Sequence, residues 1–343
     1  IKYLVEYFRG NAKLLAEDGY FTDFISNGVS TELCFVAFCA FTLIIIFAGV
    51  QNGIERVSKI MMPILIVLSV IIAVYSVTRP GALAGVKYFL VPNVKNFSWM
   101  TVVSAMGQMF YSLSIAMGIL ITFGSYMKKD TAIEDSTRNV EVFDTGIAIM
   151  AGLMIIPAVF AFSGGDPDTL QAGPSLMFIT IPKVFQNMGF GTVIGIVFFL
   201  LVLFAAVTSS IALTESAVST FEDELGWGRK KATVLVGVIM LVLGSLSSLG
   251  YGPLAGIKII GMQFLDLFDF LTNSVMMPIA ALLTSLLVSR VVGIDKIEEE
   301  IIHGESAFRR KKVFVVMIKY LCPVFAIIIL LSSVANALGW IKM

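Results

Sequence analysis

The sequence predicts an all-α protein with about eight membrane-crossing helices, and three observations lead to this fold class. Of the 343 residues, 57% are hydrophobic and only 14% are charged, against about 25% charged in an ordinary soluble domain. The mean hydropathy is +0.92. Eight apolar stretches approach or exceed the roughly 20 residues that a membrane helix needs. Because too few polar residues remain to cover a soluble surface, soluble fold classes are excluded.

The predicted spans follow one another along the whole chain. An incomplete ninth helix, residues 1–8, precedes them, and residues 29–33 extend the first full span upstream. A short, proline-flanked apolar run at 175–185 cannot cross a membrane, so we expect a helix that lies in the outer vestibule. The eight full spans are 34–50, 58–77, 101–127, 142–163, 192–220, 232–249, 267–289 and 313–337.

Composition also excludes several kinds of site and partner. The single histidine, His303, lies beside a charge cluster, and metal or Ser-His-Asp sites built on histidine need more. Cys34, Cys39 and Cys322 have no metal-ligand spacing and are interpreted as core residues. The formal net charge of zero argues against a nucleic-acid partner. No secretory signal precedes the first apolar run, and the chain begins with Ile, so we expect it to lack its natural start.

Lys and Arg in the loops predict which side of the membrane each loop occupies. The loops 51–59, 128–141, 222–231 and 290–312 hold 14 basic residues, and the alternate loops hold 7. The first set is therefore predicted to be cytoplasmic. Residues 10–33 and the C-terminus are then predicted to lie outside the cell.

Polar residues within an apolar span are costly in hydrocarbon and mark places of interest. The segment 107–126 is apolar enough to span, yet Ser112, Ser114, Ala116 and Gly118 lie in its middle. One interpretation is that small residues allow close helix packing. The other is a helix broken at mid-membrane, whose freed backbone groups bind ions and a zwitterion.

A second polar site lies in the span 192–220. Thr208, Ser209 and Ser210 are adjacent hydroxyls in an apolar helix that continues to Glu215. They either bond back to carbonyls of their own helix or supply oxygens for a hard cation such as sodium. One helix cannot complete such a cation site, so the second interpretation requires a partner segment.

Two further features have both a structural and a functional interpretation. Asp144 begins the predicted span 142–163, where it is either an acid favoured by the helix dipole or a functional carboxylate. Gly53 and Pro63 bracket the start of the span 58–77. They indicate either a helix start and kink or a segment that unwinds to open an inner pathway.

Together these segments resemble the neurotransmitter:sodium symporter family, specifically its bacterial amino-acid transporters. Five strings occur in family order and at family spacing across nearly the whole chain, and their collinearity makes the resemblance specific. The strings are residues 53–63, 107–114, 124–126, 208–212 and 221–225.

The resemblance implies a leucine-transporter-like fold of two inverted five-helix repeats in one transmembrane domain, residues 1–343. Residues 1–77 would be the remainder of the first repeat, 101–289 the complete second repeat, and 313–337 an extra C-terminal helix. We therefore expect an N-terminally incomplete chain that lacks the first helices of the fold. Such a chain by itself should not transport.

The implied function is sodium-coupled symport of a neutral, hydrophobic amino acid by alternating access across the plasma (inner) membrane. Backbone carbonyls near Tyr111, Ser112 and Ser114 would hold the substrate amine, with Tyr111 as an outer aromatic lid. Ala116 stands where the family often has Gly, which narrows the pocket. The residues implied to bind substrate are Tyr111, Ser112, Ser114, Met117, Ser209 and Leu213.

The resemblance also implies two sodium ions. Ser112 and Asp144 would bind the first, and the Ala205 carbonyl with the hydroxyls of Thr208 and Ser209 would bind the second. Chloride-dependent members have Asn and, one turn later, Ser, where this chain has Asp144 and Ala148. The fixed carboxylate of Asp144 is therefore expected to replace the anion, so chloride is not required.

Gating residues are implied in the same way. Asp269 matches the outer-gate acid, and Asp223 and Tyr126 match inner-gate residues. The segment from Gly53 to Pro63 matches a motif linked to unwinding and inward release of the second sodium ion.

Other functions are weaker alternatives. A truncated, non-transporting membrane protein or partner subunit of the same fold is the main one. A channel would need a selectivity filter, and nothing in the sequence resembles one. The sequence shows no nucleophile–base pair of the kind that would indicate an enzyme. The expected partners are a small amino-acid substrate and the lipid bilayer, and the sequence does not predict an oligomeric state or name the amino acid.

Overall fold

The computed structural model describes residues 1–166 and 173–337 of the chain, with the exception of the Asn96 side chain. The described part is nearly all helical. Seven of its helices are long and apolar enough to cross a membrane. These are α4 (Gly28–Phe47), α5 (Val50–Val77), α9 (Ile133–Ser163), α11 (Gly191–Leu225), α12 (Arg229–Leu249), α13 (Phe264–Val292) and α15 (Lys311–Ala337).

Shorter helices connect or precede them. Helix α10 corresponds to the short apolar run predicted at 175–185 and does not reach spanning length. The shorter helices are α1 (Lys2–Phe8), α2 (Ala12–Leu15), α3 (Tyr20–Ser26), α6 (Ala82–Leu90), α7 (Trp99–Ser112), α8 (Ile119–Ser125), α10 (Leu176–Gln186) and α14 (Ile294–Gly304).

The segment 101–127, one of the eight predicted spans, is interrupted, as the interpretation of a broken helix predicted. This segment forms two helices, α7 and α8, with turns and bends between them. Hydropathy averages over about 20 residues and cannot detect an interruption of six residues within an apolar run. The polar and small residues of this segment were the sequence signal for the break.

Several helices extend beyond the predicted spans. Helix α9 begins at Ile133, nine positions before residue 142, and α11 continues to Leu225. Hydropathy detects the part of a helix that suits hydrocarbon, whereas charged residues such as Glu134 and Asp135 extend the helix as good first-turn residues. The connections predicted as loops 51–59, 128–141 and 222–231 are therefore shorter than expected.

The chain divides into two compact units. One comprises residues 1–93 and 146–263, and the other comprises 94–145 and 264–343. The prediction of a single transmembrane domain and its repeat boundaries stays a prediction.

The first unit has an aromatic core where α1 meets α11. The Tyr3 and Tyr7 rings lie 5.1 and 5.5 Å from the Phe199 ring, centroid to centroid. Gly195 makes this approach possible, because a Cβ there would lie 2.2 Å from the Tyr7 ring. Phe198 and Phe185 extend the cluster.

The second unit has a smaller core beside the break in 101–127. Phe110, Met277 and Ile329 are buried together, and Ala116 and Met117 pack against them. Helix α7 begins with a capping box in which the Ser98 side chain accepts a hydrogen bond from the Thr101 backbone N–H. The capping box fixes where α7 begins, and the core holds the end of α7 and the residues that follow it.

Candidate functional site

The interruption between α7 and α8 is the first part of the candidate site. Ser114, Ala116 and Gly118 have φ angles of 54°, 63° and 78°. Three left-handed residues within five positions prevent a continuous right-handed helix. Helix ends leave backbone groups without intrahelical partners, so the break can present carbonyls and amides to a ligand.

Ser112 and Asp144 come together in the second unit. The Ser112 hydroxyl donates a hydrogen bond to Asp144 Oδ1 over 2.6 Å, although the two residues are 32 positions apart. Two oxygen-bearing side chains thus meet at the end of α7, next to the break. Oxygen ligands are what a hard cation requires.

The interpretation of Asp144 as an acid at a helix N-terminus is wrong. Helix α9 begins at Ile133, so Asp144 lies eleven residues inside it. The dipole effect falls off within the first turn and does not account for a carboxylate at this depth. The pairing with Ser112 is what the structure shows instead.

The other residues predicted to bind substrate at the break lie where α7 ends. Tyr111 is 52% exposed, and the Ser114 N–H donates to the Tyr111 carbonyl over 3.1 Å. Met117 packs against the core formed by Phe110, Met277 and Ile329. The side chains near the break are therefore mostly apolar apart from Ser112 and Ser114.

Helix α11 carries the predicted ligands of the second sodium ion in the first unit. The Thr208 hydroxyl donates to the carbonyl oxygens of Phe204 and Ala205, over 3.1 and 3.0 Å. This is the back-bonding that the structural interpretation predicted. It also brings two predicted ligand oxygens, from Ala205 and Thr208, next to each other. Ser209 and Leu213 are exposed within this unit.

The predicted gating acids lie near helix ends and are exposed. Asp269, in α13, accepts a hydrogen bond from the Asn273 side chain over 2.6 Å. Asp223 lies in the last turn of α11. Tyr126 directly follows α8, and its ring packs edge-on to Phe123 at 6.1 Å.

The segment from Gly53 to Pro63 is helical throughout. Its first part, Val50–Glu55, has π-helical geometry, and Pro63 lies inside the α-helix that follows. A Cβ on Gly53 would lie 2.2 Å from the Ile45 carbonyl oxygen, so only glycine allows this approach of α5 to α4. Wide helical geometry and an internal proline both weaken the regular hydrogen-bond ladder.

Sequence reasoning missed a buried ion pair in the first unit. Glu215 is fully buried, and Arg229 donates to both of its carboxylate oxygens over 2.9 and 2.6 Å. Arg229 also donates to the Ile46 carbonyl at the end of α4. The signal was available, because a carboxylate in an apolar helix demands a partner, but a spacing of 14 residues does not identify Arg229.

Comparison of the sequence with models of known protein families gives a match over nearly the whole chain. The family model described as the sodium:neurotransmitter symporter family matches residues 3–340. The chain belongs to the sodium:neurotransmitter symporter family. It is therefore a multi-pass membrane protein of a sodium-coupled transporter family and not an enzyme.

Relatives in three organisms carry names of the same kind. An uncharacterized sodium-dependent transporter of Bacillus subtilis (strain 168), YhdH, is 33% identical over 97% of this chain and 74% of its own length. Another from Methanocaldococcus jannaschii, MJ1319, is 30% identical over 75% of this chain and 52% of its own length. One from Haemophilus influenzae is 31% identical over 84% and 62%. The chain thus spans between half and three quarters of these relatives.

A solved structure confirms the fold class. The crystal structure of MhsT in complex with L-phenylalanine matches this symporter-family chain with a TM-score of 0.83 and 33% identity. The match covers 96% of this chain and 75% of MhsT. The prediction of an all-α membrane protein with the leucine-transporter fold is confirmed, whereas the exact number of membrane helices is not.

Proposed function

We propose that this symporter-family chain takes part in the uptake of a neutral, hydrophobic amino acid across the plasma membrane, driven by sodium and working by alternating access. The observation that carries the proposal is the broken helix at 113–118 with the Ser112–Asp144 pair at its edge. A break of this kind offers backbone dipoles to a zwitterion, and the adjacent oxygens suit a cation.

The apolar surroundings support a hydrophobic substrate side chain. Met117 packs with apolar residues, and Leu213 is apolar and exposed on α11. Small-molecule pockets in general combine an apolar lining with a few polar groups that orient the ligand, and Met117 and Leu213 are the apolar residues that the family resemblance assigns to the substrate. MhsT was crystallised with L-phenylalanine, which makes aromatic and aliphatic amino acids the first candidates.

Two sodium ions per substrate are the proposed stoichiometry. Ser112 and Asp144 supply oxygens for one, and Ala205, Thr208 and Ser209 supply oxygens for the other. Moving two charges inward gains about 4.6 kcal/mol at 100 mV, from about 2.3 per charge. A tenfold sodium gradient adds about 1.4 kcal/mol per ion. This energy supports steep accumulation of a neutral substrate.

The experiment is uptake of labelled amino acids into vesicles that contain the full-length protein. We expect uptake of L-phenylalanine or L-leucine in sodium and near-background uptake when potassium replaces it. The Ser112→Ala variant should lose uptake. The matched control Ser125→Ala removes a hydroxyl whose partner among the described residues is the Thr122 carbonyl, and it should keep uptake. Absence of sodium dependence for every amino acid tested would overturn the proposal.

A further inference from the structure

Thr42 is a polar residue in the apolar helix α4, and it lies beside α11. Its side chain is fully buried. Its hydroxyl oxygen lies 3.0 Å from the Ser210 hydroxyl oxygen and 3.2 Å from the Phe38 carbonyl oxygen. A hydroxyl has one proton to donate. The arrangement that satisfies both side chains has Ser210 donating to Thr42 and Thr42 donating to Phe38.

Ser210 directly follows the proposed ligands of the second sodium ion. Ala205, Thr208 and Ser209 are spaced i, i+3 and i+4, so they share one face of α11. Ser210 points about 100° away from Ser209, because a helix has 3.6 residues per turn. The hydrogen bond to Thr42 therefore holds α11 from a different face and leaves the ligand face open.

From this geometry we infer that Thr42 is a positioning residue for the second sodium site, an inference that rests on the proposed function. A helix can rotate about its axis unless directional contacts fix it, and apolar packing is not directional. Binding geometry must be held within about 0.5 Å to be productive. Glu215 on α11 is also held, through Arg229, near the end of α4. The Thr42–Ser210 bond is a directional contact directly beside the proposed ligands, and it sets the direction in which the Ala205, Thr208 and Ser209 oxygens point.

The test is a sodium titration of the full-length protein in detergent, with potassium chloride keeping the ionic strength constant. Sodium binding stabilises the folded protein by an amount that grows with the logarithm of the sodium concentration over the dissociation constant, so it raises the melting temperature. Thr42→Val has nearly the same shape without the hydroxyl. We expect it to raise about tenfold the sodium concentration that gives a set increase in melting temperature, as loss of an outer-shell partner does at metal sites. Labelled L-phenylalanine should still bind at high sodium concentration, which shows that the variant is folded.

Further variants separate positioning from general loss of stability. Thr42→Ser keeps the hydroxyl and should titrate like wild type. Ser210→Ala should reproduce the shift, and the double variant should add nothing, because both changes break one bond. Thr233 is also fully buried, and its hydroxyl has no hydrogen-bond partner among the described residues. Thr233→Val is therefore the matched control and should leave the sodium titration unchanged.

The outcomes distinguish this inference from the proposed function. If the wild type responds to sodium and the titrations of Thr42→Val and Ser210→Ala are not shifted, the inference about Thr42 is overturned but the proposed function is not. An equal shift in Thr233→Val overturns the inference as well, because any lost hydroxyl would then have the same effect. If Thr42→Val does not fold, Ser210→Ala decides. A wild type without any sodium response overturns the proposed function and this inference with it.

Discussion

Asp144 is a carboxylate deep inside helix α9 whose described partner is the Ser112 hydroxyl. A carboxylate within a membrane-spanning helix is costly unless it has partners or a bound cation. The same charge explains why an external anion is dispensable in the proposed mechanism. Asp144 therefore has two proposed roles, as a sodium ligand and as a substitute for chloride.

The first prediction tests the role of Asp144 in place of chloride. We expect Asp144→Asn to lower chloride-free uptake by roughly 10- to 100-fold, as loss of a partner group does at metal sites. Adding Ala148→Ser should restore uptake only when chloride is present. The measurement is uptake in chloride against gluconate. Asp135→Asn, on the same helix but exposed and paired with Arg138, is the control. Unchanged chloride-free uptake by Asp144→Asn would contradict the proposal that its carboxylate replaces chloride.

The second prediction concerns the buried ion pair of Glu215 and Arg229. Glu215→Gln removes the charge that the partly buried guanidinium contacts. We expect the free energy of unfolding to fall by about 3 kcal/mol, because one buried charge loses its partner. Thermal unfolding in detergent measures this change. Glu222 contacts Arg229 more loosely, at 3.5 Å, so Glu222→Gln should change stability by less than about 1 kcal/mol. Equal effects of both variants would contradict the assignment.

At the scale of elements, two of the segments that depart from regular α-helical geometry have proposed roles. Helices α7 and α8 are separated by left-handed residues, and α5 begins with π-helical geometry and contains Pro63. Such departures persist only where the surroundings hold them, and they concentrate at functional sites. Each departure leads to one prediction.

Ala116 is a non-glycine residue with a φ of 63° in the break. We expect Ala116→Gly to stabilise the protein by about 1 kcal/mol, because glycine adopts this conformation without steric conflict. It should also increase uptake of phenylalanine relative to leucine, since one methyl group leaves the pocket. Ala105→Gly, inside α7, is the control and should destabilise by about 1 kcal/mol. A lower melting temperature for Ala116→Gly would show that the φ angle causes no strain.

Pro63 is the proposed hinge for release of sodium to the cytoplasm. Pro63→Ala restores a backbone donor inside α5 and should make the segment from Gly53 harder to unwind. We expect slower release of sodium from preloaded protein, measured by stopped-flow with a sodium-sensitive dye. Pro157→Ala changes an internal proline of α9 and should leave this rate unaffected. If Pro63→Ala releases sodium as fast as the wild type does, Pro63 is not a hinge for this release.

At the scale of the whole molecule, the balance of charges conceals an asymmetry between loops. The 24 basic and 24 acidic residues cancel, yet one set of alternate loops holds twice as many basic residues as the other. Such a bias sets the orientation of a membrane protein. From it we predict that the connection that begins at residue 128 is cytoplasmic. The outside position of the C-terminus is a prediction on residues 338–343, which lie outside the described part of the chain.

The orientation can be measured by labelling single cysteines in intact cells. With Cys34, Cys39 and Cys322 replaced by serine, we expect a membrane-impermeant maleimide to label Lys258→Cys and not Lys129→Cys. Both lysines are exposed in the structure, so accessibility differs only by side. Permeabilised cells should label both and serve as the control. The reverse pattern would invert the predicted orientation.

Much of the candidate site could be anticipated because polar residues are rare in the spans. Ser112, Asp144, Thr208 and Ser209 stand out in the sequence for this reason. Their assignment to substrate and sodium comes from the family resemblance and stays a prediction. The sequence did not predict which residues of other helices these side chains contact. Apolar runs report the environment of a helix, not the residues that face it.

The sequence by itself determined the helical membrane class and singled out the polar residues, because both depend on local composition. Only the tertiary structure decided that Ser112 meets Asp144 across 32 positions and that Arg229 pairs with Glu215. It also decided that the segment 101–127 is two helices. Pairings and breaks of this kind depend on how helices pack, and packing joins residues whose separation in sequence carries no signal.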